Sequence, residues 1–123
     1  MSHKIVVIDD DKVTVKLLEK RFLDSGWEVF TAFDGEEGFK QIQAHLPAVV
    51  VSDTLIPKLD GLQLAQKVKK DPRLAGIRFI LISAVYKTIA FRQDIIDAGV
   101  DAFVEKPLDM PRLMALIKKY LNP

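Results

Sequence analysis

Cysteine is absent from the 123-residue chain. Its absence excludes disulfide bonds, thiol catalysis and metal sites built from thiolates. A cysteine-free chain also fits a reducing compartment, and we expect a cytoplasmic protein. Long apolar runs are lacking as well. The run from Ile5 to Ile8 is too short for a signal-peptide core or a membrane span, and no other run approaches the length of a span. We therefore expect no contact with a membrane.

Neither sign of charge is in excess, because 18 basic and 17 acidic residues leave a formal net charge of +1. This balance excludes a general attraction to nucleic acid or anionic lipid, so a function based on charge must be local. We expect no direct contact with nucleic acid. The length favours one domain over residues 1–123, and no repeat, low-complexity segment or linker divides it.

Short apolar runs alternate with helical patterns along the chain. Five runs predict strands: Ile5–Ile8, Glu28–Ala32, Ala48–Ser52, Phe79–Ile82 and Ala102–Val104. Apolar residues at helical spacing predict a helix after each strand: Val15, Leu18 and Phe22; Phe39, Ile42 and Leu46; Leu64, Ala65 and Val68; Phe91, Ile95 and Ala98; Leu113, Ile117 and Leu121. This alternation predicts an α/β fold with a parallel sheet covered on both faces. In such folds ligands gather at the carboxyl ends of the strands.

Glycine and proline, with six residues each, mark several predicted helix ends. Gly26 and Gly99 predict the C-terminal ends of the first and fourth helices, and Pro47 closes the second. The third helix is expected to end at Asp71-Pro72. Asp109 predicts the N-cap of the last helix.

Chemically active side chains follow four of the predicted strands. In chain order they are Asp9-Asp10-Asp11, Asp53, Ser83 and Lys106-Pro107. Carboxylates that converge at one edge of a sheet repel each other, and a hard divalent cation such as Mg²⁺ or Mn²⁺ removes that cost. The ammonium group of Lys106 and the hydroxyl of Ser83 can both bind a phosphoryl oxygen. Together these groups indicate phosphoryl transfer to a carboxylate.

The turn after the first strand lacks glycine. A dinucleotide site or a P-loop would need a glycine-rich turn there, whose backbone amides hold the phosphate. Three aspartates occupy this turn instead. A phosphate could therefore approach only if a cation lay between it and the aspartates. A dinucleotide site and a P-loop are both excluded.

The order of these groups resembles that of response-regulator receiver domains over the whole chain. The matching motifs are Asp9-Asp10, Asp53-Thr-Leu-Ile-Pro57, Asp60-Gly61, Ser83-Ala84 and Phe103-Val-Glu-Lys106-Pro107. Each motif alone is weakly specific, but all of them follow the correct strand in the correct order. The resemblance implies a flavodoxin-like, doubly wound, five-stranded parallel sheet of order 2-1-3-4-5 with five helices.

The resemblance also implies a role for each residue. Asp53 would be the phosphoacceptor, and a sensor histidine kinase or a phosphotransfer protein would supply the phosphoryl group. Mg²⁺ would be bound by Asp10, Asp53 and the main-chain carbonyl of Leu55, with Asp9 acting mostly through water. Lys106 would pair with the phosphoryl oxygens.

The same resemblance implies a switch. Ser83 would move toward the phosphoryl group, Phe103 would turn inward, and the face made by the fourth helix, fifth strand and fifth helix would repack. That face would control an output domain or a partner protein, so the chain would be a signalling switch rather than an enzyme acting on a separate substrate. Dimerisation through this face stays open, as do the cognate kinase, the target and whether the chain is a complete regulator.

Several loop residues complete the comparison with the family. Pro57 and Pro107 would fix loop shapes, and the isomer of the bond before Pro107 stays open. Leu55 and Val85 occupy positions that in this family influence how water reaches the phosphoryl group. Neither side chain can orient water by hydrogen bonding, so we expect a long-lived phospho-form.

Three departures from the usual family residues stand out. Ser83 replaces a common threonine, which keeps the hydroxyl but frees χ1. Phe103 replaces a common tyrosine, and Ile56 and Leu59 stand where methionine is frequent. None of these changes removes a chemical function, but Ser83 and Phe103 bear on the strength of the coupling.

A second class of protein fits part of the pattern. The run from Asp9 to Val13 also resembles the signature of haloacid-dehalogenase-type phosphatases. Asp9 would then be the nucleophile, Asp11 the acid/base, and Asp53 would have no catalytic role. The chain is short for those enzymes and lacks their acidic motif after the lysine. A constitutive binding module is a third hypothesis, weakened because the acidic residues and the lysine are all present.

Some residues also have ordinary structural explanations. Asp11 is expected to cap the first helix, and Asp60-Gly61 to form a turn and the start of the third. His3 and His45 lie in different elements and predict no metal site. The fourth helix and its approach carry extra apolar residues that fit a buried helix and a partner surface equally: Val85, Tyr86, Ile89 and Phe91.

Overall fold

The computed structural model describes residues 3–84 and 89–122, with the backbone alone for residues 89–91. Within these ranges, strands and helices alternate in the order β1 (Lys4–Ile8), α1 (Lys12–Asp24), β2 (Glu28–Ala32), α2 (Gly35–His45), β3 (Val49–Asp53), α3 (Gly61–Lys70), β4 (Arg78–Ser83), α4 (Ile89–Ala98), β5 (Ala102–Glu105) and α5 (Met110–Leu121). The strands form one parallel sheet in the order β2-β1-β3-β4-β5. The predicted doubly wound, flavodoxin-like fold is confirmed.

The centre of the sheet is apolar on both faces. Every side chain from Ile5 to Ile8 and from Val49 to Val51 is buried. These residues are β-branched, which suits a pleated strand with neighbours on each side. Strand β2 lies at the edge and leaves Glu28 exposed. The buried strands β1 and β3 therefore fix the positions of the residues that follow them.

Successive strand residues point to opposite faces and build two cores. Ile5 and Val7 pack with α1 and α5, whereas Val6 packs with α2, α3 and α4. Burial of one such side chain stabilises the fold by about 1.5–3 kcal/mol, so each core holds its helices firmly. Trp27, the single tryptophan, lies in the first core, with its ring centroid 5.6 Å from that of Phe22.

The predicted helix ends agree with the structure to within a residue or two, with one correction. Gly26 and Gly99 follow α1 and α4 with φ of +84° and +77°, and Asp109 is the N-cap of α5. Leu46 was expected to line the second helix, but it is the left-handed C-cap of α2 (φ 48°) and its side chain is exposed. The reason is Pro47, since a residue before proline is disfavoured in the helical conformation. Among the helices in the described ranges, none is long and apolar enough to cross a membrane.

Helix α3 begins in direct contact with the backbone that follows β3. The N–H of Gly61 donates to the carbonyl of Thr54 at 2.8 Å. A Cβ at Gly61 would lie only 2.5 Å from the main-chain oxygen of Asp53, closer than a side chain can approach. Glycine at this position therefore lets the helix start against the end of the central strand.

Candidate functional site

Asp53 is the last residue of β3, the central strand of the sheet. Its carboxylate is held at both oxygens: Oδ1 accepts the N–H of Thr54 at 2.8 Å, and Oδ2 accepts Nζ of Lys106 at 3.1 Å. The Asp53 side chain is only 11% exposed. The carboxylate therefore has a fixed orientation at the carboxyl edge of the sheet.

Asp9 and Asp10, directly after β1, bring two further carboxylates to Asp53. One ligand oxygen from each of the three residues lies within 4.8 Å of the others. Asp9 is 4% exposed and its Oδ1 accepts the N–H of Asp11 at 2.9 Å, whereas Asp10 is exposed. The predicted convergence of carboxylates from β1 and β3 is thus what the structure shows.

The surroundings of Asp9 oppose its negative charge. Burial raises the pKa of Asp9 to about 6, and repulsion from Asp53 and Asp10 adds to the effect, against the hydrogen bond from Asp11. A nearby cation would stabilise the ionised form of this acidic group. Carboxylate oxygens are the ligands that Mg²⁺ and Mn²⁺ prefer, so the donor set of Asp9, Asp10 and Asp53 fits such an ion.

Lys106, directly after β5, is the permanent cation of the site. Burial by itself lowers the pKa of Lys106, but the hydrogen bond and charge of Asp53, with the charges of Asp9 and Asp10, raise it above its ordinary value. The main-chain N–H of Lys106 donates to the carbonyl of Ser83 at 2.8 Å. The ammonium group is therefore charged at neutral pH and anchored beside the acidic group.

Comparison with known proteins supports this architecture. A match to the response regulator receiver domain covers residues 5–118. The chain belongs to the response-regulator receivers of two-component systems. The haloacid-dehalogenase hypothesis is not supported by this match.

The receiver has relatives of several kinds. It is 30% identical to the alkaline phosphatase synthesis transcriptional regulatory protein PhoP of Bacillus subtilis over 99% of this chain and 50% of that protein. It is 32% identical to the response regulator PleD of Caulobacter vibrioides over 96% of this chain and 26% of that protein. The chain thus spans half the length of one relative and about a quarter of the other.

Solved structures agree on the fold. A response regulator receiver domain protein (CheY-like) from Methanospirillum hungatei superposes with a TM-score of 0.90 over 99% of this chain and 95% of that one, at 24% identity.

Ser83 and Phe103, the two predicted switch residues, lie on the neighbouring strands β4 and β5. Ser83 ends β4, is buried, and donates its hydroxyl hydrogen to the carbonyl of Ala84 at 2.8 Å. Phe103 lies on β5 opposite Leu81 and packs half-buried on the core beneath α2, α3 and α4. The hydroxyl is thus engaged locally and would have to exchange its acceptor to reach a phosphoryl group.

The described loop residues singled out from the sequence follow β3 and β5. Leu55, in the loop after β3, exposes 63% of its surface. The carbonyl of Pro57 accepts the N–H groups of Leu59 (2.8 Å) and Gly35 (3.1 Å) and so ties this loop to the start of α2. The bond between Lys106 and Pro107 is cis. Val85 and Tyr86, and the side chains of Ile89 and Phe91, lie outside the described residues.

Two aspartates have the structural roles expected of them. Asp11 is the N-cap of α1: its carboxylate accepts the N–H of Val13 (3.0 Å) and the hydroxyl of Thr14 (2.8 Å). Asp60 caps α3 in a reciprocal pair with Gln63. Neither carboxylate is therefore free to join the acidic group.

Sequence reasoning missed three residues that shape the site. Thr54 donates its hydroxyl hydrogen to the carbonyl of Ile82 at 3.1 Å, which ties the loop after Asp53 to β4. A Cβ at Gly35 would collide with the main-chain oxygen of Leu59, so the loop packs directly on α2. Lys58 has a left-handed backbone (φ 70°), which costs a non-glycine residue about 1–2 kcal/mol. Of these, only Thr54 had a signal in the sequence, through its place in the motif after Asp53.

Proposed function

We propose that this receiver takes a phosphoryl group on Asp53 from a phosphohistidine of a sensor kinase or phosphotransfer protein, and so controls an output domain or a partner protein. The observation that carries the proposal is the position of the Asp53 carboxylate between the ammonium group of Lys106 and the carboxylates of Asp9 and Asp10. The proposal treats residues 1–123 as one receiver domain.

The chemistry requires little more than these groups. An oxygen of the Asp53 carboxylate attacks the phosphorus, the phosphorus–nitrogen bond to the donor histidine breaks, and the electron pair stays on the imidazole. The product is an acyl phosphate on Asp53. A divalent cation bound by Asp9, Asp10 and Asp53 would offset the repulsion between the carboxylates and the incoming phosphoryl oxygens.

Lys106 and Thr54 supply the positioning. The N–H of Thr54 fixes one oxygen of Asp53, and the ammonium group of Lys106 lies 3.1 Å from the other. Once the phosphoryl group is attached, Lys106 can pair with a phosphoryl oxygen instead, because an ammonium group is a flexible point charge. The same residues serve hydrolysis, in which water attacks the phosphorus and inorganic phosphate leaves.

An apolar rim beside the site supports a protein as the phosphoryl donor. Val13 and Leu17 on α1 expose 76% and 55% of their surfaces, and Leu55 is exposed on the loop after β3. A cavity of about 320 Å³ is lined by both Leu17 and Lys106, so the rim adjoins the charged site. Exposed apolar side chains around a polar centre are typical of protein-binding surfaces.

The surface near β5 supports an output through Phe103. Phe103 and Arg112 line two adjoining cavities of about 430 and 340 Å³ between β5 and α5, and Lys106 lines the larger one. A change at Lys106 or Phe103 would therefore alter the shape of an accessible surface. A phosphorylation-dependent dimer through this face would be a further readout of the same change.

The phosphatase alternative is disfavoured by the state of Asp11. That carboxylate would have to act as the acid/base, yet the hydrogen bonds from Thr14 and Val13 occupy it and lower its pKa below the ordinary value. A group with a lowered pKa is a poor proton donor at neutral pH.

Intact mass after incubation with acetyl phosphate and Mg²⁺ tests the proposal. We expect one phosphoryl adduct on the wild type, dependent on Mg²⁺ and absent from Asp53→Asn. Asp24→Asn removes an exposed aspartate far from the site and should keep the adduct. Failure of the wild type to form an adduct, with phosphatase activity that survives Asp53→Asn, would move the nucleophile to Asp9. Failure with no activity at all would favour a constitutive binding module.

A further inference from the structure

A groove between α2 and α3 lies apart from the residues of the proposed function. It encloses about 400 Å³. Phe39 of α2 and Leu59 of the loop before α3 contribute its apolar surface. Lys40, Lys58 and Lys67 line it with three ammonium-bearing side chains. We call this feature the α2–α3 groove.

The charge of the groove is locally positive although the chain as a whole is nearly neutral. Three lysines face one acidic residue of the lining, Glu36, so the lining has a formal charge of +2 against +1 for all 123 residues. The α3 wall is purely basic, because that helix contains no acidic residue. Asp34 lies close by, with its Oδ2 3.7 Å from Nζ of Lys58, and lowers the local formal charge to +1, so that three ammonium groups face two carboxylates within this small area.

The lysines combine charge with an apolar surface. Nζ of Lys67 lies 4.4 Å from the centroid of the Phe39 ring, a cation–π contact that keeps the ammonium group over the groove. Phe39 is half-buried, so part of its ring is accessible to a partner. An occupant that suits this surface must carry both negative charge and an aliphatic or aromatic side chain.

Lys58 is placed in the groove by a backbone conformation that lysine rarely adopts. Its φ of +70° is held by the loop around it, in which the carbonyl of Pro57 accepts the N–H groups of Leu59 and Gly35. A strained backbone that is held by its surroundings is more common at binding sites than elsewhere. The conformation therefore supports a binding role for the loop beyond the connection of β3 to α3.

From these observations we infer that the α2–α3 groove is a docking site for an acidic peptide segment of a partner protein, with one apolar side chain against Phe39 and Leu59 and carboxylates against Lys40, Lys58 and Lys67. Nucleic acid fits less well, because a continuous line of phosphates would pass the carboxylates of Glu36 and Asp34. The groove requires no phosphorylation, so this inference stands or falls separately from the chemistry at Asp53.

A titration of the full ¹⁵N-labelled chain, unphosphorylated, with a synthetic ten-residue peptide of Asp and Glu around one Trp and one Leu tests the inference by NMR. We expect saturable shifts centred on Lys40, Lys58, Leu59 and Lys67, with a Kd of about 10 μM to 1 mM. Raising NaCl from about 0.05 to about 0.5 M should weaken binding by about tenfold or more. A peptide with every acid replaced by its amide should not bind.

Paired charge reversals provide the matched control. Lys40→Glu with Lys67→Glu should abolish the shifts, whereas Lys16→Glu with Lys118→Glu changes the net charge equally at exposed lysines outside the groove and should not. Lys40→Gln with Lys67→Gln gives the same test if the charge reversal unfolds the chain. The inference is overturned if no saturable shift appears up to several times the expected Kd, if the shifts centre elsewhere, if the control pair weakens binding equally, or if a DNA duplex occupies the groove more tightly than the peptide.

Discussion

Asp9 and Asp101 lie at opposite edges of the same sheet, and their carboxylates have opposite surroundings. Asp101, just before β5, accepts Nζ of Lys69 at 2.8 Å, the N–H of Phe79 at 2.7 Å and Nη1 of Arg78 at 3.2 Å. Asp9, just after β1, accepts the N–H of Asp11 and lies beside the carboxylates of Asp10 and Asp53. One edge pairs its partly buried carboxylate with two cations and an amide, and the other edge leaves negative charge in excess.

The two pKa values differ accordingly. Burial raises the pKa of Asp9 to about 6, with repulsion from Asp53 adding to it. Burial also acts to raise the pKa of Asp101, but Lys69, the amide of Phe79 and Arg78 outweigh it and hold that pKa below its ordinary value. The comparison indicates that the Asp101 edge contributes to stability, whereas the Asp9 edge lowers it, as the proposed function would require.

The largest effect on the free energy of unfolding should come from removing the carboxylate of Asp101. Asp101→Ala leaves the N–H of Phe79 without its acceptor and removes the counter-charge of Lys69, which keeps only the carbonyls of Ala75 and Ile77. We expect it to lower the free energy of unfolding by about 3 kcal/mol. Urea denaturation measures this loss. Arg78→Ala removes a partner that is 53% exposed and should cost less than about 1 kcal/mol. Equal losses in the two variants would show that Asp101 is not the centre of the network.

Removing the carboxylate of Asp9, at the other edge, should stabilise the protein. In metal-free buffer with EDTA at pH 7, we expect Asp9→Asn to raise the free energy of unfolding by about 2 kcal/mol, because it removes a carboxylate that is costly to ionise. The pKa of Asp9 is 3.8 in the unfolded chain and about 6 in the folded one. The wild type should therefore lose stability relative to Asp9→Asn as the pH rises from about 4 to about 6. Urea titrations of both proteins should therefore converge near pH 4. A difference that is constant with pH would contradict this account.

Asp101 should show the reverse pH dependence. Since the pKa of Asp101 is lowered in the folded protein, its contribution is present above the ordinary value of 3.8 and is lost as the pH falls below it. A smaller acid-induced loss in Asp101→Asn than in the wild type, measured by urea titration between pH 5 and pH 3, would confirm this. An identical loss in both proteins would mean that other carboxylates dominate.

A divalent cation should offset the excess negative charge at the Asp9 edge and so stabilise the folded protein. At ten times its Kd, Mg²⁺ should raise the free energy of unfolding of the wild type by about 1.4 kcal/mol, by binding the folded state alone. Asp101→Asn should respond as much as the wild type does, and Asp9→Asn less. A response that survives in Asp53→Asn combined with Asp10→Asn would place the cation elsewhere.

The smallest effect on stability should come from Leu55→Asn, since this exposed side chain contributes little to the fold. Its effect should instead appear in the lifetime of the acyl phosphate, which we expect to shorten by up to about tenfold because the amide can orient an attacking water. Loss of radiolabel from isolated phosphoprotein measures the lifetime. Rapid hydrolysis in the wild type, unchanged by Leu55→Asn, would contradict the expectation of a long-lived phospho-form.

The fold and the acidic group could be predicted from the sequence because their signals are local. β-Branched runs such as Val49–Val51 are long enough to be read as buried strands, and parallel strands bring their carboxyl ends to one edge. Asp9, Asp10 and Asp53 then had to converge, and Asp11 could be assigned to the cap from its place before a helical pattern.

The Asp101 network and the α2–α3 groove could not be predicted, because they join residues that no motif connects. Lys69 and Asp101 are 32 residues apart, and the bond between them depends on how α3 packs beside β4 and β5. The groove depends on the side-chain directions of two helices and on the left-handed Lys58. Such features follow from tertiary packing, which periodicity does not encode.

The single tryptophan gives these measurements a convenient optical signal. Trp27 precedes β2, at the sheet edge opposite Asp53, and lies against Phe22 in the core beneath α1 and α5. Its fluorescence should therefore change when the chain unfolds and stay nearly constant when a cation or a phosphoryl group binds at the other edge. Quenchers in the solvent should reach the indole only after unfolding, so one emission band can follow the stability of the whole sheet while the site is titrated independently.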